Sequence, residues 1–164
     1  MHSNNSIQGS AQLLGKKLLK AGLIVSTAES CTGGGVAYAI TEISGSSQWF
    51  DRGFVTYSNE SKLEMLGVKN KTLEKYGAVS QNIVIEMAKG AVKNSNADIA
   101  VAISGIAGPT GGTDDKPVGT VCISWHSAHK KGKTATYIFV GGRKAIRCQA
   151  VEIALVGLIE LVTN

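Results

Sequence analysis

Thr27-Ala28-Glu29-Ser30-Cys31-Thr32-Gly33-Gly34-Gly35 is the stretch that decides how this chain of 164 residues is read. It follows a short apolar run, Leu23-Ile24-Val25, and leads into Val36-Ala37-Tyr38-Ala39-Ile40. That order gives strand, tight polar turn and helix start. Three successive glycines let the backbone approach a ligand without side-chain obstruction. The N–H groups of a helix start are unpaired and sit at the positive end of its dipole, a place that binds phosphate or stabilises an oxyanion. Ser30, just before those amides, is a candidate nucleophile. The competing reading is that Ser30 or Thr32 only caps the helix.

On either side of the turn the pattern alternates between helix and strand. Residues 1–9 are polar and read as a frayed tail of a single domain spanning 1–164. Ala11, Leu14, Leu18 and Ala21 recur at helical spacing, and Gly22 stops that helix. A strand over 23–27 precedes the turn, and a helix from about Gly34 to Ile43 follows it. Gly53 to Tyr57 reads as the next strand. Asn59 then caps a short helix that runs through Leu66 and stops at Gly67.

Lys62 sits near the start of that helix, five residues after Tyr57. An exposed helical lysine is usually a solvated charge. As a base near neutral pH it needs its pKa lowered by roughly three units from about 10.4, and burial or a helix N-terminus pushes in that direction. Tyr57 is read either as a packed strand aromatic with a wet hydroxyl or as an assistant to the lysine.

Leu73 to Tyr76 forms a short turn or helix ending at Gly77. Ser80 caps a helix that lines Val84, Met87, Ala88 and Ala91 along one face. Ile99 to Ile103 is a continuous apolar run, the mark of a central strand buried on both faces. At its end come Ser104, Gly105 and Gly108, in a segment with five glycines between positions 105 and 119. Such a loop at the end of a buried strand is where α/β sheets place ligands, although a plain connector reads the same way. The Gly-Lys-Ser/Thr ending of a P-loop is absent. Val118–Trp125 and Thr134–Val140 form a hairpin. Gly141-Gly142-Arg143 enters a final helix with Ile146, Ala150, Ile153, Ala154 and Gly157 inward. Leu155, Leu158 and Val162 make a second apolar flank suited to a subunit interface. Arg143 is either a phosphate partner or a surface charge.

Composition narrows the function. Hydrophobic residues make up 43% and charged residues 18%, a globular balance and not a disordered one. The net charge of +5 suits an anionic small molecule. The basic residues are scattered and aromatics are only 5%, which argues against nucleic acid. Cys31, Cys122 and Cys148 have no metal spacing and fit reduced thiols in a cytoplasm. His2, His126 and His129 form no metal motif, and His126 and His129 fall in a polar, loop-like stretch. No apolar run approaches the roughly 18 residues of a membrane span.

Five motifs occur in order: TAESCTGG, WFDRGFVTYSNESK (Trp49 to Lys62), GAVS (Gly77 to Ser80), ISGIAGPTGG (Ile103 to Gly112) and KPVGTV (Lys116 to Val121). Together they closely resemble the C-terminal domain of competence/damage-inducible protein A, the nicotinamide-nucleotide amidase family, over about residues 10 to 160. The resemblance implies a stand-alone amidase domain with a three-layer α/β/α fold and a mixed β-sheet. It implies hydrolysis of the carboxamide of nicotinamide mononucleotide to nicotinic acid mononucleotide and ammonia, in pyridine nucleotide salvage, with no metal or other cofactor. By motif, Ser30 becomes the nucleophile, and Tyr57 and Lys62 its assistants. Ser104, Gly105 and Gly108 form a substrate loop. Related chains often read Gly-Asp-Arg before the last helix, where this one has Gly141-Gly142-Arg143, so the arginine is kept without its acidic neighbour.

The chemistry of the residues runs parallel. Amide hydrolysis needs a nucleophile, a base, an oxyanion stabiliser and a proton for the leaving ammonia. No histidine lies near a glycine turn, which leaves a lysine base with Tyr57 as relay. The amides of Cys31, Thr32, Gly33 and Gly34 are the oxyanion candidates. A cytoplasmic homodimer or higher homo-oligomer without nucleic-acid or membrane partners is expected. The alternative is a non-catalytic nucleotide-binding or oligomeric interaction module.

Overall fold

The computed structural model of the chain describes residues 4–164. Five strands, β1 (Val25–Glu29), β2 (Phe50–Val55), β3 (Ile99–Gly105), β4 (Thr120–Ser127) and β5 (Lys133–Ile138), form one sheet in the order β2-β1-β3-β4-β5. β1 runs parallel to β2 and β3, while β3–β4 and β4–β5 are antiparallel. Helices α1 (Asn4–Ala21), α2 (Gly35–Thr41) and α6 (Arg143–Thr163) cover one face. Helices α3 (Asn59–Leu66), α4 (Asn70–Tyr76) and α5 (Gln81–Lys93) cover the other. This is the expected three-layer α/β/α arrangement with a mixed sheet.

The central strand shows why two layers form. Along β3 the side chains alternate faces. Ile99, Val101 and Ile103 enter the core shared with α1, α2 and α6. Ala100 and Ala102 face α5, whose Val84, Met87, Ala88 and Ala91 are buried as the periodicity predicts. Ser80 caps α5 through a bond accepted from the Ile83 N–H.

Several boundaries differ from the sequence expectation. α1 begins at Asn4, so residues 4–9, expected to be frayed, are helical, and Ser6 Oγ donates to the Glu152 carboxylate on α6. The first part of the expected tail, residues 1–3, lies outside the described residues. β1 starts two residues late because Asp98 accepts from the Ile24 N–H at 2.9 Å and ties that residue to the start of β3. β2 ends at Val55, so Thr56, Tyr57 and Ser58 leave the sheet. Ser58, not Asn59, caps α3, its hydroxyl accepting from the Ser61 N–H at 3.1 Å. His126 is a β4 residue, not part of a loop. The second flank of α6 is largely taken up by the chain itself: Leu155 and Leu158 are buried in its own core beside Leu14 and Leu18 of α1, and Val162 packs against that core partly buried.

α6 lies close against the sheet because Gly157 has no side chain. A Cβ there would overlap the Trp125 ring. That ring is buried and fixed by its indole N–H, which donates to the Ala154 carbonyl at 2.9 Å. Alanine normally gains roughly 1 kcal/mol over glycine inside a helix, but overpacking a rigid contact costs about 1–3 kcal/mol. Gly157→Ala is therefore expected to lower the urea unfolding midpoint. A raised midpoint would show that the indole has room to move.

Candidate active site

The site begins where β1 runs out. Ser30 is the first residue past the strand, and its N–H donates to the Ile103 carbonyl at 3.0 Å, which fixes it beside the end of β3. Glu29 is buried and reaches over the turn. Its Oε1 accepts from the Val36 N–H at 2.8 Å and its Oε2 from the Ala37 N–H at 3.0 Å. A carboxylate thus occupies the first turn of α2, where ionised acceptors bond strongly and oppose the dipole. The expectation that this helix start faces a ligand is corrected, and neither Ser30 nor Thr32 is the cap.

Inside the turn the Gly33 N–H donates to the Ser30 carbonyl and the Gly35 N–H to the Thr32 carbonyl, both at 3.0 Å. Gly33 and Gly34 have φ of 60° and 94°, a region that other L-residues rarely adopt. Of the four amides expected to face an oxyanion, that of Gly33 is therefore spent within the turn. Those of Thr32 and Gly34 donate to no acceptor among the described residues, and that of Cys31 meets its own thiol.

Lys62 comes to this turn from the opposite layer. The Thr56 N–H donates to the Glu29 carbonyl at 2.9 Å, so the chain leaving β2 passes alongside the end of β1. One turn into α3, Lys62 folds back under it and is only 1% exposed. Its Nζ lies 3.1 Å from Ser30 Oγ, 2.8 Å from the Thr56 carbonyl and 3.4 Å from the Ser58 carbonyl. Carbonyls only accept, so two N–H groups are committed to them. The remaining position of the amine faces Ser30 Oγ. A protonated amine donates there, and a neutral one presents its lone pair to the serine proton. Burial pushes the Lys62 pKa down, with nearby Cys31 and Glu60 acting the other way. Burial also pushes the Cys31 thiol up to about 11, so beside Ser30 it stays protonated and a poor nucleophile.

Tyr57 does not join this pair. It is 63% exposed, and its hydroxyl accepts from Arg143 Nη2 at 3.2 Å. The relay expected of Tyr57 thus has no hydrogen bond to Lys62 or Ser30 behind it. Arg143 Nη1 donates to the Gly108 carbonyl at 2.9 Å, so the arginine is oriented without an acidic neighbour at position 142. Ser104 is buried near the end of β3, one residue past the carbonyl that holds Ser30. Gly105 is required by packing, since a Cβ there would stand 2.7 Å from Val121 Cγ2.

Sequence reasoning missed Arg147. Its Nε donates to the Cys31 carbonyl and its Nη2 to the Thr32 carbonyl, each at 3.1 Å. The available signal was its spacing from Arg143: four residues apart, the two project from one helix face. A groove of about 500 Å³ between α1, α2 and α6 touches the same turn at Thr32 and Gly35, without reaching Ser30 or Lys62.

Comparison with known proteins gives a consistent result. The model of the CinA C-terminal domain matches residues 7–162. The chain is 54% identical over 145 residues to the Nicotinamide-nucleotide amidohydrolase PncC of Escherichia coli strain K12, covering 88% of each. It is 48% identical over 154 residues to the protein of the same name from Pseudomonas putida, covering 94% of this chain and 96% of that one. The crystal structure of competence/damage inducible protein CihA from Agrobacterium tumefaciens superposes with a TM-score of 0.94 at 46% identity, over 95% of both chains.

The buried amine has a pH signature in stability. Unfolded, Lys62 keeps its proton up to about pH 10.4; folded, it releases it at lower pH. Between those values the unfolded state holds more protons, so this residue makes stability climb with pH. Lys62→Met removes the contribution. In urea melts the stability of the wild type relative to Lys62→Met is expected to rise with pH on the approach to about pH 10.4. A gap independent of pH would mean that the amine ionises as it does in water.

Proposed function

We propose that this chain, which belongs to the CinA C-terminal domain family, hydrolyses the carboxamide of nicotinamide mononucleotide to nicotinic acid mononucleotide and ammonia. It is an amidohydrolase, in line with the relatives named nicotinamide-nucleotide amidohydrolase that align along most of its length. The observation that carries the reading is the 3.1 Å approach of a buried lysine amine to Ser30 Oγ in a chain of that kinship.

In this reading Lys62 is neutral when substrate arrives. Its lone pair takes the Ser30 proton as Oγ attacks the carboxamide carbon. The oxyanion is received by amides of the turn, those of Thr32 and Gly34, which are unpaired, and that of Cys31, a contribution typically worth about 3 kcal/mol per donor. The Lys62 ammonium then protonates the leaving nitrogen. Ammonia departs and an acyl ester remains on Ser30. Water, its proton taken by Lys62, cleaves the ester to the carboxylate and restores the hydroxyl. Arg143, held between Gly108 and Tyr57, offers a positive charge to the substrate phosphate. Tyr57 serves that binding side and does not relay the proton. Ser104, Gly105 and Gly108 border the same mouth.

A homodimer or higher homo-oligomer belongs to the same proposal. It is supported by exposed Tyr38, Ile138 and Val140, and not by the buried second flank of α6. A cytoplasmic setting is supported by three cysteines without disulfides. No helix among the described residues is long and apolar enough to cross a membrane.

Ammonia release from nicotinamide mononucleotide, measured beside nicotinamide and its riboside, separates an enzyme from a nucleotide-binding module. Ser30→Ala should cut kcat by a factor on the order of 10⁴–10⁶ while the protein stays folded. Cys31→Ser should keep most activity. The opposite pair of results would make the thiol the nucleophile.

The rate should also follow the protonation of Lys62. Because burial lowers its pKa, kcat/KM is expected to rise with pH as the amine loses its proton. That limb should vanish in Lys62→Met, and Lys62→Arg should fare no better, since arginine stays charged. A Lys62→Met enzyme with normal turnover and an unaltered profile would remove the lysine from the mechanism.

A further inference from the structure

Arg147 touches neither Ser30 nor Lys62 in the structure, yet it grips the backbone between them and α6. Its planar fork bridges two consecutive carbonyls, Cys31 and Thr32, at 3.1 Å each. A Cβ at Gly33 would lie 3.5 Å from the same Nη2, so the guanidinium rests directly against the turn. In a trans peptide the C=O and the following N–H point in opposite directions. With the Thr32 carbonyl turned to α6, the Gly33 N–H points the other way, and it does reach the Ser30 carbonyl at 3.0 Å. The unit before it is held in the same manner. With the Cys31 carbonyl turned to α6, the Thr32 N–H is directed away from α6, toward the layer from which Lys62 meets Ser30. That amide has no protein acceptor among the described residues.

We propose that Arg147 is a positioning residue for the hydrolysis: by anchoring the Cys31 and Thr32 carbonyls it aims the Thr32 N–H at the oxyanion formed on the Ser30 ester carbon. The inference rests on Ser30 as the nucleophile. Two elements of the site support it. Glu29 takes the first amides of α2, so the helix start cannot serve the oxyanion and the turn's own amides must. The Gly33 and Gly34 backbone is permissive by composition, so the peptide planes of the turn need an external restraint. A guanidinium supplies one, because its rigid fork meets two carbonyls at once where a lysine amine is a flexible point charge. Its charge also favours the anion through the polarised peptide units.

The test is steady-state kinetics of Arg147→Met and Arg147→Lys on nicotinamide mononucleotide, with thermal unfolding in parallel and Ser30→Ala as companion. Oxyanion donors are worth about 10²–10³ in kcat, so loosening one should cost kcat roughly 10- to 100-fold. KM should move less than about threefold, since the amide acts on the transition state and not on the bound substrate. Arg147→Lys, which keeps stem and charge, covers the case in which Arg147→Met fails to fold. It should melt near the wild type yet recover only part of kcat. Wild-type kcat in the folded variants would overturn the proposal. So would a raised KM with kcat unchanged, which would make Arg147 a contact for the substrate phosphate. Turnover by Ser30→Ala would sink the serine reading and the role of Arg147 with it. A dead Ser30→Ala beside a fully active Arg147→Met would sink only the latter.

Discussion

A lysine amine buried without a counter-ion must have acceptors for its N–H groups or give up its charge. The packing around Ser30 answers that constraint at Lys62. Two backbone carbonyls, from Thr56 and Ser58, take two N–H groups, and only Ser30 Oγ is left for the remaining position. The carbonyls exist in the right place because β2 stops at Val55 and the chain bends over the end of β1 before α3 begins. The end of β1 is in turn held against β3 through the Ser30–Ile103 bond. The approach of Lys62 to Ser30 is therefore a product of where three elements end, not of a dedicated loop.

Glu29 carries the second half of the arrangement. A carboxylate in a sheet interior is costly unless bonded, and here both oxygens are satisfied by amides that a helix leaves unpaired. One residue thus settles two deficits and fixes the angle between β1 and α2. Side-chain capping usually comes from the residue at the helix boundary. Here it comes from the strand, which leaves the intervening five-residue turn no other task than presenting Ser30 and its neighbouring amides.

Much of this was legible in the sequence. The period-2 and period-3.6 patterns gave the elements, and the apolar run Ile99–Ile103 gave the central strand. Ser30 and Lys62 were named from motif and chemistry, and the structure brings those two together. Three things were not legible. The cap of α2 was hidden because a strand residue six positions before Gly35 carries it, outside any local capping pattern. The exposed side of Tyr57 was hidden because strand-like spacing does not reveal that the chain has already left the sheet. The grip of Arg147 was hidden because it joins residues 115 and 116 apart, where an arginine on an amphipathic helix reads as solvent-facing. In each case the missing information was a contact across layers, which local periodicity does not encode.

The protonated state of Cys31 bears on how the protein meets oxidants and alkylating agents. With the thiol pushed up to about 11, its thiolate is only about one part in 10⁴ at neutral pH. Peroxides and haloacetamides react with the thiolate, and burial keeps them out as well. The residue next to Ser30 is thus chemically quiet. Thiol reagents would instead find Cys148, the cysteine left partly exposed, on the first turns of α6.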